Sequence, residues 1–192
     1  MGIVSDFNKK FDEKVVFDNY YYHFSDVGIY FVLGKSGVGK TTLLRSISGL
    51  DKDYSGRIEG FGRVSMMFQE YRLFPWISAL DNVVKAIAEK PDENDKIRAE
   101  TLLSELGFSS DEMSLKPSAL SGGMKQRVSF ARALLANADT VILDEPFKEL
   151  DSSLVDVMYK IILRESEKRL FIIVTHDEIP KEILEISNVI EL

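Results

Sequence analysis

The chain has 192 residues, 45% of them hydrophobic, and a formal net charge of −7. This length supports one domain with a sizeable core, and the negative charge argues against nucleic acid as a main partner. The absence of cysteine excludes disulfides and thiolate metal sites and is compatible with the cytoplasm. No apolar run approaches the ~20 residues of a membrane-spanning helix, and no signal-peptide pattern is found. A function at a membrane would therefore require another chain to span it.

Short strands are predicted in the first third of the chain. Residues 15–17 and 20–24 are apolar and aromatic, which predicts a hairpin or two edge strands with a turn near Asp18 and Asn19. Residues 57–58 and 63–68 predict two further strands around a glycine-containing turn at residues 60–62.

Three apolar runs predict strands that are buried on both faces, as parallel strands between helices are. They are residues 29–33, 140–143 and 170–174, and each leads directly into polar residues that are candidates for a site. Ligands of open α/β sheets bind at the carboxyl ends of the strands. We therefore expect these candidates to meet at one edge of a parallel sheet.

The pattern becomes helical between about residues 70 and 118. Ser78 and Asp81 are candidate helix starts, and residues 95–106 predict an amphipathic helix that ends at Gly107. This predicts a single domain, 1–192, in which a helical subdomain of about residues 70–118 is inserted. The α/β core would then comprise about residues 1–69 and 119–192.

The first glycine motif, residues 34–41, reads GKSGVGKT and fits G-x-x-x-x-G-K-[ST] between a predicted strand and a predicted helix. In this context the glycines let backbone N–H groups surround phosphates. Lys40 would reach the β- and γ-phosphates, and Thr41 would bind Mg²⁺. The sequence therefore predicts a nucleotide site.

Polar residues follow the other buried strands. Two adjacent acids at the end of a core strand, Asp144 and Glu145, are costly unless they meet a cation or a reacting water. Asp144 would hold Mg²⁺, and Glu145 would orient or deprotonate the attacking water. Gln69 could contact both the metal and the water, and His176 could donate to the γ-phosphate. Taken alone, Gln69 is typical of an ordinary surface residue, and His176 fits a structural role as well as a functional one. The neighbouring motifs favour a functional role for both.

The second glycine motif, residues 120–127, reads LSGGMKQR and opens a different helix. Ser121 suits the N-cap, and Gly122 and Gly123 leave bare backbone at the helix N-terminus, which favours an anion. Because this anion site cannot belong to the same phosphate loop, the two motifs together predict a site that a second copy of the chain completes.

Taken together, these motifs make the chain resemble the ATP-binding subunit of an ABC transporter, over roughly residues 11–176. Residues 34–41 are similar to the Walker A loop, Gln69 to the Q-loop and residues 120–127 to the signature segment. Residues 144–146 are similar to Walker B, residues 150–151 to the D-loop and His176 to the H-loop. An aromatic that stacks on adenine would be Phe11, with Tyr20 or Phe17 as the alternatives.

The resemblance implies three sets of residues. The nucleotide would contact Phe11, Gly34, Ser36, Gly37, Gly39, Lys40, Thr41, Thr42, Ser121, Gly122, Gly123 and Asp151. The metal Mg²⁺ would be held by Thr41, Gln69 and Asp144. The catalytic residues would be Glu145, His176 and Gln69.

The resemblance also implies a fold and partners. The fold would be α/β: a P-loop NTPase (RecA-like) core with a small antiparallel β subdomain and an inserted α-helical subdomain. Two such subunits would bind ATP head to tail, and closure and hydrolysis would drive solute transport by separate transmembrane permease subunits. The chain would lie in the cytoplasm, peripheral to the cytoplasmic face of the inner membrane. Residues 70–76 resemble nitrate-, sulfonate- and taurine-type importers at the permease-docking stretch, although Leu73, Phe74 and Trp76 could instead form the core of the helical insertion.

Some features depart from the family pattern. Lys148 and Glu149 stand where small residues usually precede the D-loop Leu-Asp pair, which puts packing against a partner in doubt. Lys35 replaces a common proline, with little effect expected. The chain ends soon after His176, so no C-terminal regulatory domain is expected.

The sequence also bears on three functions other than that of an importer subunit. The alternative is a non-transport ABC-type ATPase, which usually carries a coiled-coil insertion, tandem units or basic arms. A nucleotide-sensing module without turnover is disfavoured by Glu145 and His176, and a GTPase by the absence of an Asn-Lys-x-Asp motif.

Overall fold

The structure is a computed structural model that describes residues 1–192. Its eight strands are β1 (Gly2–Phe11), β2 (Lys14–Phe24), β3 (Gly28–Leu33), β4 (Ser55–Glu59), β5 (Val64–Met67), β6 (Thr140–Asp144), β7 (Leu170–Val174) and β8 (Asn188–Glu191). Its helices are α1 (Lys40–Ile47), α2 (Ala79–Ile87), α3 (Glu93–Glu105), α4 (Ser110–Met113), α5 (Gly122–Leu135), α6 (Ser152–Ser166) and α7 (Lys181–Leu184). None of the helices combines the length and the apolar character needed to cross a bilayer.

A five-stranded parallel sheet with the order β5-β6-β7-β3-β8 forms the centre of the molecule. Its three central strands are the three apolar runs predicted from the sequence, and every residue of β6 and β7 is buried. Val174 pairs with both Asp144 and Val32, so the carboxyl ends of β6, β7 and β3 lie level with one another. The residues that follow these strands are thereby brought to one edge.

Two apolar cores cover the two faces of this sheet. Alternate residues of a strand point to opposite faces, so Val141 and Leu143 pack into the larger core with the helices α2, α3, α5 and α6. Ile142 points the other way, into the smaller core that β1, β2 and α1 complete. The sheet is therefore enclosed on both sides, which explains why its central strands carry continuous apolar runs.

A three-stranded antiparallel sheet, ordered β2-β1-β4, lies beside the parallel one. The predicted turn near Asp18 and Asn19 is wrong, because β2 runs continuously through both residues. Asn19 is instead an irregularity in the strand: its φ is 49°, and its N–H donates to the Asn8 side chain at 2.8 Å. The hairpin turns at residues 12–13, between β1 and β2. Asparagine favours left-handed backbone in bulges and turns alike, so the residue alone did not distinguish them.

Helices α2, α3 and α4 occupy the segment between β5 and α5. Ser78 caps α2 by accepting from the Asp81 N–H at 3.0 Å, as its position predicted. Helix α3 begins slightly earlier than predicted, because Asp92 and Asp95 form a capping box, and Gly107 follows its end with a φ of 80°. Helix α2 packs on α5, and the division into a core and a helical subdomain stays a prediction.

Candidate functional site

A cavity of about 410 Å³ opens at the carboxyl edge of the parallel sheet. It is lined by residues from both ends of the chain, which the fold brings together. The predicted site residues in its wall are Phe11, Ser36, Gly37, Gly39, Lys40, Thr41, Thr42, Gln69, Asp144, Glu145 and His176. Lys14, Val16 and Val174 complete the lining.

The loop between β3 and α1 forms the floor of this cavity. Gly37 and Gly39 have φ angles of 76° and 122°, which residues with a side chain rarely adopt. A methyl group on Gly39 would also lie 2.9 Å from the Phe17 ring, so this position requires glycine for a second reason. Helix α1 starts at Lys40 with no acidic residue in its first turn. Its unpaired N–H groups therefore favour an anion such as phosphate.

Lys40 is buried and lies across this loop. Its Nζ donates to the carbonyl oxygen of Gly34 at 2.6 Å and to that of Lys35 at 3.1 Å. Gly34 thus takes part in the loop through its carbonyl group, although it does not line the cavity. Because these two partners are neutral carbonyl groups, the Lys40 ammonium forms no ion pair here and is available to an anion in the cavity.

Asp144 and Thr41 form an oxygen-rich pair beside the loop. The Thr41 hydroxyl donates to Asp144 Oδ2 at 3.3 Å, and Asp144 is almost fully buried. Burial raises the pKa of Asp144, and the adjacent Glu145 carboxylate raises it further. A cation would relieve this cost. Hydroxyl, carboxylate and amide oxygens, the last from Gln69 in the same wall, are donors that Mg²⁺ accepts, so the residues fit this metal.

Glu145 lines the cavity and is held there by contacts with three other residues. Its N–H donates to the Val174 carbonyl at 2.8 Å, and its carbonyl accepts from Gln126 Nε2 at 2.6 Å. Its φ of 53° lies in the left-handed region, which residues other than glycine rarely adopt. The His176 N–H donates to Glu145 Oε2 at 3.2 Å, and His176 Nε2 lies 3.4 Å from Oε1. The carboxylate and the imidazole therefore form one unit facing the cavity.

Phe11 also lines the cavity; it is the last residue of β1, and 49% of its surface is exposed. The alternative Phe17 is buried in the smaller core, and Tyr20 packs against that core, so neither reaches the cavity wall. The Lys9 Nζ lies 4.8 Å from the Phe11 ring centroid and is itself paired with Asp51 at 3.0 Å. Phe11 is thus an exposed ring that contacts Lys9, and Lys9 is itself held in place by Asp51.

Sequence reasoning missed Lys14 and Val16 in this wall. Both begin β2, directly after the turn, and their spacing of two residues places them on one face of the strand. This two-residue spacing could have identified both residues. It was missed because the turn was predicted at residues 18–19, whereas the chain turns at residues 12–13. Val174 was predicted only as part of a strand.

The second glycine motif lies outside the cavity, at the start of α5. Ser121 is the N-cap and accepts from the Met124 N–H at 3.2 Å. Gly122 and Gly123 pack against Glu149, whose carboxylate accepts from the Tyr71 hydroxyl at 2.9 Å. The structure therefore does not bring these predicted residues to the same nucleotide pocket as residues 34–41.

Asp151 also lies apart from the cavity and caps α6. Hydrogen bonds from the Ser153 hydroxyl and the Leu154 N–H lower the pKa of Asp151. Its observed contacts are therefore those of a helix cap.

Comparison with known proteins agrees with this arrangement. A family model described as ABC transporter matches residues 17–148. The aliphatic sulfonates import ATP-binding protein SsuB 1 of Paracoccus denitrificans is 40% identical over 151 residues, covering 76% of this chain and 60% of that protein. The protein of the same name from Rhodococcus jostii is 43% identical over 153 residues, with 76% and 60% covered. The chain thus spans about 60% of the length of these curated relatives.

Solved structures give the same result for the fold. The ATP-binding cassette MJ0796, solved as a dimer in a post-hydrolysis state bound to ADP and Pi, superposes with a TM-score of 0.85 at 25% identity. The match covers 100% of this chain and 94% of that one. The fold is therefore that of a P-loop ATPase cassette, with a parallel sheet and an antiparallel β subdomain. The chain belongs to the ABC transporter family.

Proposed function

We propose that the chain is the ATP-binding and ATP-hydrolysing subunit of an ABC importer, which couples ATP-driven dimer closure to solute transport by separate transmembrane subunits. The observation that carries this proposal is the single cavity in which the phosphate loop, Asp144, Glu145 and His176 meet. A phosphate-binding floor, a buried carboxylate for a cation and a fixed carboxylate for water are the parts that phosphoryl transfer requires.

In this proposal each part of the cavity acts on ATP as substrate. Phe11 stacks on the adenine, and the loop N–H groups and Lys40 hold the β- and γ-phosphates. Glu145 accepts a proton from the water that attacks the γ-phosphorus, the bond between this phosphorus and the oxygen bridging it to the β-phosphate breaks, and ADP leaves. His176 donates to the γ-phosphate, and Gln69 orients the water.

Magnesium fits the same site. Thr41, Asp144 and Gln69 would hold it, and the ion would neutralise charge on the β- and γ-phosphates.

A second chain completes the site in this proposal. Ser121, Gly122 and Gly123 lie at the N-terminus of α5, outside the chain's own cavity, where free N–H groups attract an anion. They would contact the γ-phosphate of ATP held by the partner, and Asp151 would lie in the same interface. The similar cassette MJ0796 was solved as a dimer, which supports this arrangement.

Replacing Ser121 with arginine tests the role of the partner. We expect the Ser121→Arg variant to lose ATP turnover almost entirely, because the long side chain would fill the space of the partner's phosphate, while the monomer binds ATP normally. Turnover and calorimetric ATP binding would be compared with Ser104→Arg, which places the same side chain at an exposed serine near the end of α3. Equal weakening of monomer binding by Ser121→Arg would show that Ser121 serves its own chain's nucleotide.

The relatives' names suggest the transported solute. Because the similar proteins of Paracoccus and Rhodococcus are named for aliphatic sulfonate import, we propose a small organosulfonate as the solute. The permease would bind it, and this chain would act at the cytoplasmic face of the membrane.

Phe74 and Trp76 are the proposed contact with the permease. Leu73 packs against the larger core, whereas Phe74 and Trp76 are 41% and 66% exposed, with ring centroids 5.5 Å apart. Buried Asn82 fixes the loop by accepting from the Phe74 N–H at 2.8 Å and donating to its carbonyl at 3.2 Å. A paired, exposed aromatic surface on a fixed loop is suited to protein contact.

Substitution of Trp76 tests this contact. We expect Trp76→Glu to abolish co-purification with the permease that the unsubstituted chain binds, because burying a carboxylate in an apolar interface is costly, while basal ATPase activity persists. Tyr21→Glu is the matched control, since Tyr21 is 59% exposed on β2. Undiminished co-purification of Trp76→Glu would count against the docking surface, and no membrane partner for the unsubstituted chain would favour the non-transport ATPase.

A further inference from the structure

Three segments that are distant in the sequence meet at the start of α5. Tyr71 follows Gln69 by two residues, and its hydroxyl donates to Glu149 Oε2 at 2.9 Å. The same oxygen lies so close to Gly122 that an added methyl group there would overlap it, and a methyl group on Gly123 would lie 2.8 Å from the Glu149 carbonyl oxygen. Both glycines are therefore required for the close approach of Glu149.

Both partners of the Tyr71–Glu149 hydrogen bond are held by other contacts. The Tyr71 carbonyl accepts from the Ser129 hydroxyl at 2.7 Å and from Arg132 at 3.0 Å, which ties it to α5. Glu149 has a φ of 64°, a conformation that residues other than glycine rarely adopt. The neighbouring structure therefore keeps this carboxylate at the helix end despite an unfavourable backbone.

The position of the Glu149 carboxylate matters because of its charge. Gly122 is the first residue of α5, and the free N–H groups of a helix N-terminus attract negative charge. Glu149 supplies such a charge from its own chain. In the proposed dimer the partner's γ-phosphate approaches this same helix end, and two negative groups at short distance repel each other.

We propose that Glu149 is an inhibitory carboxylate, which lies beside Gly122 at the anion-binding end of α5 in the separate chain and must leave before the partner's ATP docks. The proposal rests on the proposed function, in which α5 contacts ATP of a second chain. Departure of Glu149 breaks its hydrogen bond to Tyr71. Docking of the partner thereby changes a contact of the segment that also carries Gln69, which lines the cavity.

The test is ATP-dependent dimerisation, measured by sedimentation equilibrium in chains that also carry Glu145→Gln so that ATP persists. Glu149→Gln keeps the side-chain size and an oxygen for Tyr71 but removes the charge, and we expect the dimer dissociation constant to fall roughly tenfold. Tyr71→Phe removes the tether but keeps the charge, and a smaller decrease is expected. Glu167→Gln, which removes an equal charge at the exposed end of α6, should change nothing.

The outcomes separate the inhibitory carboxylate from a structural one. A structural role predicts a weaker dimer and a lower melting temperature for Glu149→Gln, because a supporting contact would be lost. If a well-folded Glu149→Gln chain dimerises as the parent does, or more weakly, the inhibitory role of Glu149 is wrong, while the proposed function is unaffected. Absence of any ATP-dependent dimer in the parent chain overturns the shared site of the proposed function, and the inhibitory role of Glu149 with it.

Discussion

Replacing Glu145 with glutamine is expected to lower ATP turnover by roughly 100- to 10,000-fold, the range for loss of a general base. Glutamine has the same size and can keep the hydrogen bond from the His176 N–H, but it cannot accept a proton from water. The backbone of Glu145 is held by Val174 and Gln126, so the substitution should leave the cavity intact. ATP should therefore bind without being consumed, and the chain should accumulate as a dimer.

Steady-state phosphate release and size-exclusion chromatography with and without ATP measure the two effects. Glu178→Gln is the control, because it removes an exposed carboxylate only two residues beyond His176. It should leave turnover and oligomeric state unchanged. If Glu145→Gln turns over ATP at the parent rate, Glu145 is not the base, and the proton must pass to another group.

The central sheet could be predicted from the sequence because its strands are buried on both faces. Continuous apolar runs mark β3, β6 and β7, and the polar residues that end them must meet, since parallel strands share one carboxyl edge. The presence of a cavity at this edge is a consequence of that arrangement. The local motif around Lys40 also required only near neighbours in the chain.

The antiparallel sheet was harder to predict, because its strands are less uniformly apolar. Strand β1 contains Asp6 and Asn8 among its apolar residues, and Asn19 is accommodated as an irregularity that local sequence cannot separate from a turn. The predicted turn was therefore wrong, and Lys14 and Val16 were missed.

Residues that are distant in the sequence contact the signature segment, residues 120–127. The spacing of motifs along the chain could not predict these contacts. The resemblance to the family predicts that Lys148 and Glu149 face a second chain. Both are exposed, yet the Glu149 side chain contacts Gly122 and Tyr71 of its own chain. A hydrogen bond across 78 residues of sequence leaves no periodic pattern, so only the folded structure reveals it.

Replacing Lys40 with alanine is expected to abolish turnover and to weaken ATP binding roughly 100-fold. Hydrogen bonds to charged groups contribute about 1.5–3 kcal/mol each, and the ammonium group can make two with adjacent phosphates. At about 1.4 kcal/mol per tenfold change in affinity, two such bonds account for a loss of this size. Calorimetric titration with ATP measures it directly.

The neighbouring Lys35 provides a matched control for this substitution. Lys35 is exposed, and it contributes its carbonyl oxygen rather than its ammonium group to the loop. Lys35→Ala should therefore bind ATP almost as the parent does, although it removes the same charge from the same loop. A general electrostatic attraction would make the two variants equally weak. Ordinary ATP binding by Lys40→Ala would instead contradict the phosphate loop itself, because the buried ammonium of Lys40 bonds only two carbonyl groups and has its charge free for an anion.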